Sequence, residues 1–233
     1  MTDASLSGPS LRPPQGEPVR RLVVLLHGYG ADGNDLIGLA PALAPALPGT
    51  AFHSPHAPLP CEMSPFGRQW FSLAAYDPDM LRRSPETFGP VYARMAAGAQ
   101  AVAPVLDAYL DGLLAHYGLE DSQLALVGFS QGTMMALHVA LRRARPCAGV
   151  VGFSGALLGD GDLAAATVSR PPVLLVHGLA DEVVPPEAMG STESALRTAG
   201  IEVAAHGRPG LPHGIDDDGL ALARDFLVQR LAG

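Results

Sequence analysis

The chain has 233 residues, a length that suits one domain with a sizeable hydrophobic core. Hydrophobic residues make up 48% of it and the formal net charge is −8, which excludes a disordered chain and disfavours a nucleic-acid-binding protein. All 15 cationic residues are arginine, so Schiff-base chemistry, a pyridoxal phosphate site and a P-loop lysine are excluded as well.

The polar residues 1–16, rich in Pro and Gly, predict a flexible N-terminal tail. They contain no apolar core of a secretory signal, and no run of the chain approaches 18 apolar residues. We therefore expect a cytoplasmic protein with no integral membrane segment. Cys61 and Cys147 lie far apart without zinc spacing, which predicts two free thiols and no metal site.

The first buried strand is predicted over residues 20–26, because every position from Leu22 to Leu26 is apolar. It ends at His27-Gly28-Tyr29-Gly30, and helical spacing then follows over 34–43. After a short strand over 50–54, residues 55–90 contain seven prolines among aromatic residues and methionines. This pattern predicts a long, lid-like excursion over the edge of the sheet.

A helix is expected over residues 95–117, with Pro104 predicted to kink or split it. The next stretch, LALVGFSQG over residues 124–132, predicts a strand, a sharp turn with Ser130 at its apex, and a helix to about residue 144. This is the nucleophile elbow, in which a Cβ at Gly128 or Gly132 would clash. The similar run GFSG at 152–155 lacks the second elbow glycine, so we expect its serine, Ser154, to be structural.

Strands are predicted over residues 148–153, 173–177 and 201–205, with helices over 187–199 and 216–231. Alternating strands and helices indicate a single domain over residues 17–233, with a doubly wound, mostly parallel α/β sheet and helices on both faces. Asp216-Asp217-Asp218 are expected to open the last helix, where its dipole stabilises carboxylates, and not to bind a metal.

A serine nucleophile needs a histidine to accept its proton and an acid to orient that histidine. On such a sheet the partners follow in the order Ser, Asp or Glu, His. Asp181 follows a predicted strand in HGLADEVVP, with Glu182 as its rival and a helix cap as the alternative role. His213 lies in the last loop, GLPHG, and His206 at the end of the last strand is its rival.

The negative charge that develops on the substrate oxygen needs two backbone N–H donors. One is expected from Gln131, directly after the serine. The other is expected from Tyr29, in the loop after the first buried strand, where Gly28 and Gly30 let the backbone turn inward.

Five motifs stand in this chain in one order: LLHGYGADGNDL, GRQWFSL, GFSQG, HGLADEVVP and GLPHGID. Together they resemble the phospholipase/carboxylesterase family of α/β hydrolases, which includes acyl-protein thioesterases, lysophospholipases and small bacterial carboxylesterases. The resemblance runs from about residue 19 to the end of the chain. It implies an α/β-hydrolase fold, a Ser130, Asp181 and His213 triad, and oxyanion donors at Tyr29 and Gln131. Dimers are common in the family, so the resemblance is compatible with a homodimer, and the sequence leaves the oligomeric state open.

The same resemblance implies that Arg68, Trp70 and Phe71 line the acyl groove, although core packing is the alternative for the two aromatic residues. The chain departs from many family members at Tyr29, where they have Leu, and at Ser72, where they have Asp. Both departures lie near the expected substrate, so they bear on its identity.

The sequence therefore predicts a serine carboxylesterase that needs no metal or cofactor and hydrolyses short- to medium-chain or lipid-like esters. A lysophospholipase or an acyl-protein thioesterase is the alternative within the enzyme class. A catalytically silent lipid- or ligand-binding module of the same fold is the alternative from another class.

Overall fold

The computed structural model describes residues 6–73, 88–159 and 163–232, except for the side chains of residues 88–92 and 164. Within these ranges the centre of the protein is a seven-stranded sheet of order β1-β3-β2-β6-β7-β8-β9, and a separate hairpin pairs β4 with β5. The strands are β1 (Ser10–Leu11), β2 (Arg21–Leu26), β3 (Thr50–His53), β4 (Leu59–Pro60), β5 (Arg68–Gln69), β6 (Leu124–Phe129), β7 (Gly149–Phe153), β8 (Val173–Gly178) and β9 (Val203–Arg208). Only β1 runs antiparallel to its neighbour within the large sheet.

Helices cover both faces of the sheet, as the sequence predicted for an α/β-hydrolase fold. The helices are α1 (Gly33–Leu36), α2 (Ala40–Leu43), α3 (Phe88–Tyr117), α4 (Gln131–Ala140), α5 (Leu163–Ala166), α6 (Glu187–Thr198) and α7 (Asp217–Arg230). Buried residues of α3, α4 and α6 form one apolar cluster with the sheet, which we call the α4 face. Buried residues of α1, α2 and α7 form the other, which we call the α7 face.

Strand β2 shows how the apolar run predicted the layers. Leu22, Val24 and Leu26 belong to the cluster on the α4 face, whereas Val23 and Leu25 belong to the cluster on the α7 face. All five are fully buried. Since successive side chains of a strand point to opposite faces, a continuous apolar run is what a strand covered on both faces requires.

The N-terminal segment differs from the prediction of a flexible tail over residues 1–16. Ser10 and Leu11 pair with His53 and Phe52 at the edge of the sheet, and Leu6 is buried. The prediction is therefore wrong for residues 6–11, because the edge strand β3 offers backbone hydrogen-bonding groups that a polar segment can satisfy. Residues 1–5 lie outside the described residues.

Two helices differ from their predicted bounds. Helix α3 continues through Pro104, so this proline does not split it. Helix α4 ends at Ala140, four residues before the predicted end. The chain leaves the helix there and Arg143 turns towards Asp107, Asp111 and Asp121.

The predicted excursion over residues 55–90 is described only in part, since residues 74–87 lie outside the described residues. Its first part contains the β4–β5 hairpin, in which Leu59 pairs with Gln69 and Pro60 with Arg68. Among the described residues, no helix has the length and apolar character needed to cross a membrane. The assignment of residues 17–233 to a single domain stays a prediction.

Candidate active site

Ser130 occupies a strained turn between β6 and α4. Its φ of 54° lies in the left-handed region that side chains other than glycine avoid. The turn is held by the Ser130 backbone N–H, which donates to the Phe153 carbonyl at 2.9 Å. A Cβ on Gly128 would lie 2.4 Å from the Thr133 nitrogen, and one on Gly132 would lie 1.8 Å from the Leu26 carbonyl oxygen. The two glycines are needed for the reason that the sequence analysis gave.

Ser130 lines a cavity of about 200 Å³ at the carboxyl end of the parallel strands, together with Tyr29, Gln131 and His213. This edge is where open α/β sheets bind their ligands. The remaining lining is mostly apolar and consists of Gly28, Ala31, Asp35, Leu73, Met95, Phe129, Met134, Val183 and Val184. The Ser130 hydroxyl, the His213 imidazole and an apolar surface therefore line the same cavity.

Asp181 and His213 are in direct contact. The Nδ1 atom of His213 lies 2.7 Å from Oδ2 of Asp181, although 32 residues separate them in the chain. The rival residues of the sequence analysis, Glu182 and His206, are both exposed, and His206 lies within β9. The structure thus brings together the acid and the base that the sequence ranked first.

The Asp181 carboxylate is fully buried and held as an anion. Its Oδ1 accepts hydrogen bonds from the backbone N–H groups of Val183 and Val184 at 2.8 and 2.9 Å. Burial opposes its ionisation most strongly, yet hydrogen bonds from His177 and His213 and the nearby His213 charge hold the pKa of the Asp181 carboxyl well below its usual range. The carboxylate can therefore orient an imidazole without taking its proton.

His177 is a site residue that the sequence analysis did not select. Its Nε2 lies 2.9 Å from the Val184 carbonyl oxygen and 3.3 Å from Oδ2 of Asp181. It both braces the loop and touches the carboxylate. The sequence signal for a role at the site is the position of His177 near the end of β8, four residues before Asp181.

Tyr29 and Gln131, whose backbone N–H groups are the expected oxyanion donors, both line the cavity. Within the described ranges, neither group donates a hydrogen bond to another protein atom. An uncommitted N–H beside a cavity is what an oxyanion donor requires.

Arg68, Trp70 and Phe71 differ from their predicted role as lining of the acyl groove. Trp70 and Phe71 are 0% and 1% exposed, and none of the three is among the residues that line the cavity. The Trp70 indole donates to the His27 carbonyl at 2.9 Å. The Arg68 guanidinium donates to the carbonyls of Ala57 and Pro58 at 2.8 Å each. The polar groups of Arg68 and Trp70 are therefore bonded to the backbone, and Phe71 is packed in the core.

The two departures from the family pattern lie in one cluster beside the cavity. A hydrogen bond to Ser72 lowers the pKa of the Glu62 carboxyl, and the Glu62 backbone N–H donates to the side-chain oxygen of Gln69 at 3.0 Å. Burial, a hydrogen bond to Cys61 and the Glu62 charge raise the pKa of the Tyr29 phenol to about 12. Tyr29 therefore stays a neutral phenol. Cys61 and Cys147 are both free thiols, as predicted.

The remaining candidates of the sequence analysis lie apart from this cavity. Ser154 has a φ of 44° but is buried and is not among the lining residues. Asp216 caps helix α7 by accepting a hydrogen bond from the Gly219 N–H, as its place before the helix predicted. In the described part of the chain, no three His, Cys, Asp or Glu residues are grouped so that they could hold a metal ion.

Known proteins resemble this chain in both sequence and structure. A family model described as Phospholipase/Carboxylesterase matches residues 13–231. A probable carboxylesterase of Oryza sativa subsp. japonica is 30% identical over 221 residues, covering 90% of this chain and 88% of that protein. Acyl-protein thioesterase 1 of Neurospora crassa is 27% identical over 225 residues, covering 90% and 86%. The crystal structure of esterase PE8 superposes with a TM-score of 0.87 and 41% identity, covering 97% of this chain and all of that one.

Proposed function

The chain belongs to the phospholipase/carboxylesterase family of hydrolases that act on ester bonds, and we propose that it is a serine carboxylesterase for short- to medium-chain carboxylic esters. The observation that carries the proposal is the contact of His213 with the buried Asp181 carboxylate, at the cavity that Ser130 also lines. A silent binding module has no need for a serine in the left-handed region at Ser130, because this backbone conformation costs stability.

In the proposed acylation step, Ser130 Oγ attacks the ester carbonyl carbon while Nε2 of His213 accepts the hydroxyl proton. The Asp181 carboxylate holds Nδ1–H of His213 and stabilises the imidazolium that forms. The carbonyl oxygen becomes an oxyanion and accepts hydrogen bonds from the N–H groups of Tyr29 and Gln131. The bond to the leaving oxygen then breaks, and His213 returns the proton to that oxygen.

Deacylation repeats these steps with water as the nucleophile. His213 takes a proton from the water, hydroxide adds to the acyl carbon, and the bond to Ser130 Oγ breaks. The proton returns to Ser130 and the free carboxylic acid leaves. The same two N–H donors act in both halves, and each is worth roughly 3 kcal/mol of transition-state stabilisation.

The size and lining of the cavity support the proposed acyl range. Its volume of about 200 Å³ is below the roughly 300–1,000 Å³ of pockets that bind drug-sized ligands. Leu73, Met95, Met134 and Val184 supply an apolar wall beside Ser130. An alkyl chain is stabilised there by about 0.8 kcal/mol per buried CH₂ until the cavity is full.

The proposal is tested with p-nitrophenyl esters of two to sixteen acyl carbons, comparing the wild type with Ser130→Ala. We expect the highest kcat/KM at four to eight carbons and a loss of at least about 10⁴-fold in the variant. Labelling by a fluorophosphonate should occur in the wild type alone. If the wild type neither turns over an ester nor takes the label, the protein is the silent module.

One observation favours a second candidate, hydrolysis of lipid-like esters at a surface by a lysophospholipase or acyl-protein thioesterase. Met63 and Phe66, in the connection between β4 and β5, are 83% and 92% exposed. Co-sedimentation of the Ser130→Ala protein with phosphatidylcholine vesicles tests this candidate, with Phe66→Ser added as a second variant. Binding that Phe66→Ser abolishes, together with a peak of activity above eight carbons, would favour the lipid substrate.

A further inference from the structure

A second cavity of about 220 Å³ adjoins the first and has no role in the steps above. It is lined by Asp35, Leu36, Leu39, Phe129 and Ile215. Asp35 and Phe129 line both cavities, so the two meet at these residues. Phe129 directly precedes Ser130, and its ring centroid lies 4.8 Å from that of His213. The second cavity therefore begins beside the proposed nucleophile and base.

The two cavities extend over opposite faces of the sheet. Met95, Met134 and Val184 of the first cavity belong to the apolar cluster on the α4 face. The apolar residues of the second belong to, or pack against, the cluster on the α7 face. A ligand with its carbonyl at Ser130 thus has one apolar space on either side.

The chemistry decides which half of an ester enters which space. The leaving oxygen has to lie beside His213, because this imidazole gives it a proton when the bond breaks. Phe129, against the His213 ring, and Ile215, two residues beyond His213, both line the second cavity. His213 itself lines the first cavity, and the second begins at Phe129 against its ring, so a leaving group beside His213 has the second cavity open to it while the acyl chain occupies the apolar part of the first.

The second cavity carries a negative charge. Asp35 is the one charged side chain among the described residues that line it. In the described part of the chain, the exposed Asp35 carboxylate forms no ion pair and no side-chain hydrogen bond, and it interacts electrostatically with His27, whose pKa is lowered by burial. The Asp35 carboxylate attracts a cationic leaving group and repels an anionic one.

We propose that the cavity of Asp35, Leu36, Leu39, Phe129 and Ile215 is the leaving-group subsite, and that Asp35 selects esters of neutral or cationic alcohols over anionic ones. The proposal rests on the proposed esterase function and narrows its substrates. The proposal predicts slow turnover of substrates whose leaving group carries several negative charges, such as a thiol that bears phosphate groups. An apolar alcohol, with or without a positive charge, fits the lining.

The charge selection is tested with three butyrate esters that share one acyl group: those of 3-hydroxyphenyl-trimethylammonium, phenol and 4-hydroxybenzenesulfonate. Comparing each ester between the wild type and Asp35→Asn cancels the intrinsic reactivity of the leaving group. We expect the ratio of kcat/KM for the cationic ester to that for the anionic ester to fall about tenfold in Asp35→Asn at 10 mM NaCl. At 0.5 M NaCl, where charges are screened within a few Å, most of this change should disappear.

The matched control is Asp217→Asn, since this exposed carboxylate opens α7 and is not among the residues that line either cavity. It changes the net charge by the same amount and should leave the ratio within twofold of the wild type. An equal change in both variants, or an unchanged ratio in Asp35→Asn, overturns the charge selection.

The position of the subsite is tested by filling it. Leu39→Trp should lower kcat/KM for phenyl butyrate relative to methyl butyrate at least fivefold, while the preferred acyl length stays where it is. A shift of the acyl length with no change in the phenyl-to-methyl ratio would assign this cavity to the acyl chain and overturn the proposal. Turnover that survives Ser130→Ala is a different result, since it would refute the esterase mechanism itself.

Discussion

The side-chain oxygen of Gln131 lies 2.8 Å from the backbone nitrogen of Trp70, and the hydrogen bond between them crosses 61 residues of sequence. The amide nitrogen of Gln131 in turn donates to the Phe71 carbonyl at 2.8 Å. The same segment pairs through Arg68, whose carbonyl accepts from Gly30 and whose N–H donates to Ala31. Residues 68–71 therefore connect the two segments that carry the proposed oxyanion donors, the loop at Tyr29 and the start of α4 at Gln131.

This connection predicts that the Gln131 side chain positions its own N–H. Gln131→Met keeps the approximate shape of the side chain but leaves the buried Trp70 N–H and Phe71 carbonyl without partners. We expect kcat to fall at least about tenfold, with KM changed less than threefold, because only the transition state needs both donors aligned. Steady-state kinetics and the affinity for a trifluoromethyl ketone, which mimics the tetrahedral intermediate, measure the effect.

Gln123→Met is the matched control for this variant. Gln123 also accepts one backbone hydrogen bond, from Glu120, and donates one, to the Arg20 carbonyl, but it is not among the residues that line the cavity. It should lower stability and leave kcat near the wild-type value. Equal kcat in Gln131→Met and the wild type would show that the side chain has no positioning role.

A second prediction concerns the elbow glycines. In Gly132→Ala the new Cβ would lie 1.8 Å from the Leu26 carbonyl oxygen, so strand and helix must separate. We expect a loss of several kcal/mol of stability, or no folded protein at all. Gly112→Ala in the exposed part of α3 meets nothing within 4 Å and should gain up to about 1 kcal/mol. Urea denaturation compares the two, and similar stabilities would contradict the close approach.

The sequence predicted the layers of the fold better than it predicted the contacts that support the candidate site. Leu22–Leu26 and the elbow motif depend on local rules, namely burial on both faces and the need for glycine at a close contact. The role of Trp70 depends on the His27 carbonyl and Gln131, which are 43 and 61 residues away, and no local pattern encodes such pairings. The second cavity could not be predicted from the sequence either. Leu39 and Ile215 have the pattern of ordinary helix and loop residues, and only the fold brings them together.

A third prediction concerns the charge cluster at the end of α4. The Arg143 side chain is 6% exposed and is paired with Asp121, whose carboxylate is 5% exposed, and with Asp107 and Asp111. Removing the cation leaves the buried Asp121 charge only partly compensated, by Arg145. We expect Arg143→Met to lose about 3–5 kcal/mol of unfolding free energy.

The control for this variant is Arg224→Met, which breaks an exposed ion pair with Asp225. It should lose less than about 1 kcal/mol in the same denaturation series.

The last prediction concerns the pH dependence of stability. His138 is 4% exposed, and neither of its ring nitrogens has a hydrogen-bond partner among the described residues. Burial, with a smaller contribution from Arg142, lowers the pKa of His138 to about 4. The unfolded chain binds a proton at this residue below about pH 6.5 and the folded protein does not, so stability falls as the pH drops from 6.5 to 4. The expected contribution is about 1.4 kcal/mol per pH unit within this window.

His138→Leu removes both the titration and the unpaired nitrogens. Unfolding free energies from urea denaturation at pH 4, 5, 6 and 7 should therefore decline less steeply in the variant, and stability at pH 7 should rise by about 1–3 kcal/mol. His53→Leu is the comparison, since burial also lowers the pKa of His53 to about 4, but its Nε2 is hydrogen-bonded to the Tyr117 hydroxyl. That variant should also flatten the pH dependence, yet lose stability at pH 7. A wild-type slope in His138→Leu would mean that this imidazole is protonated in the folded protein.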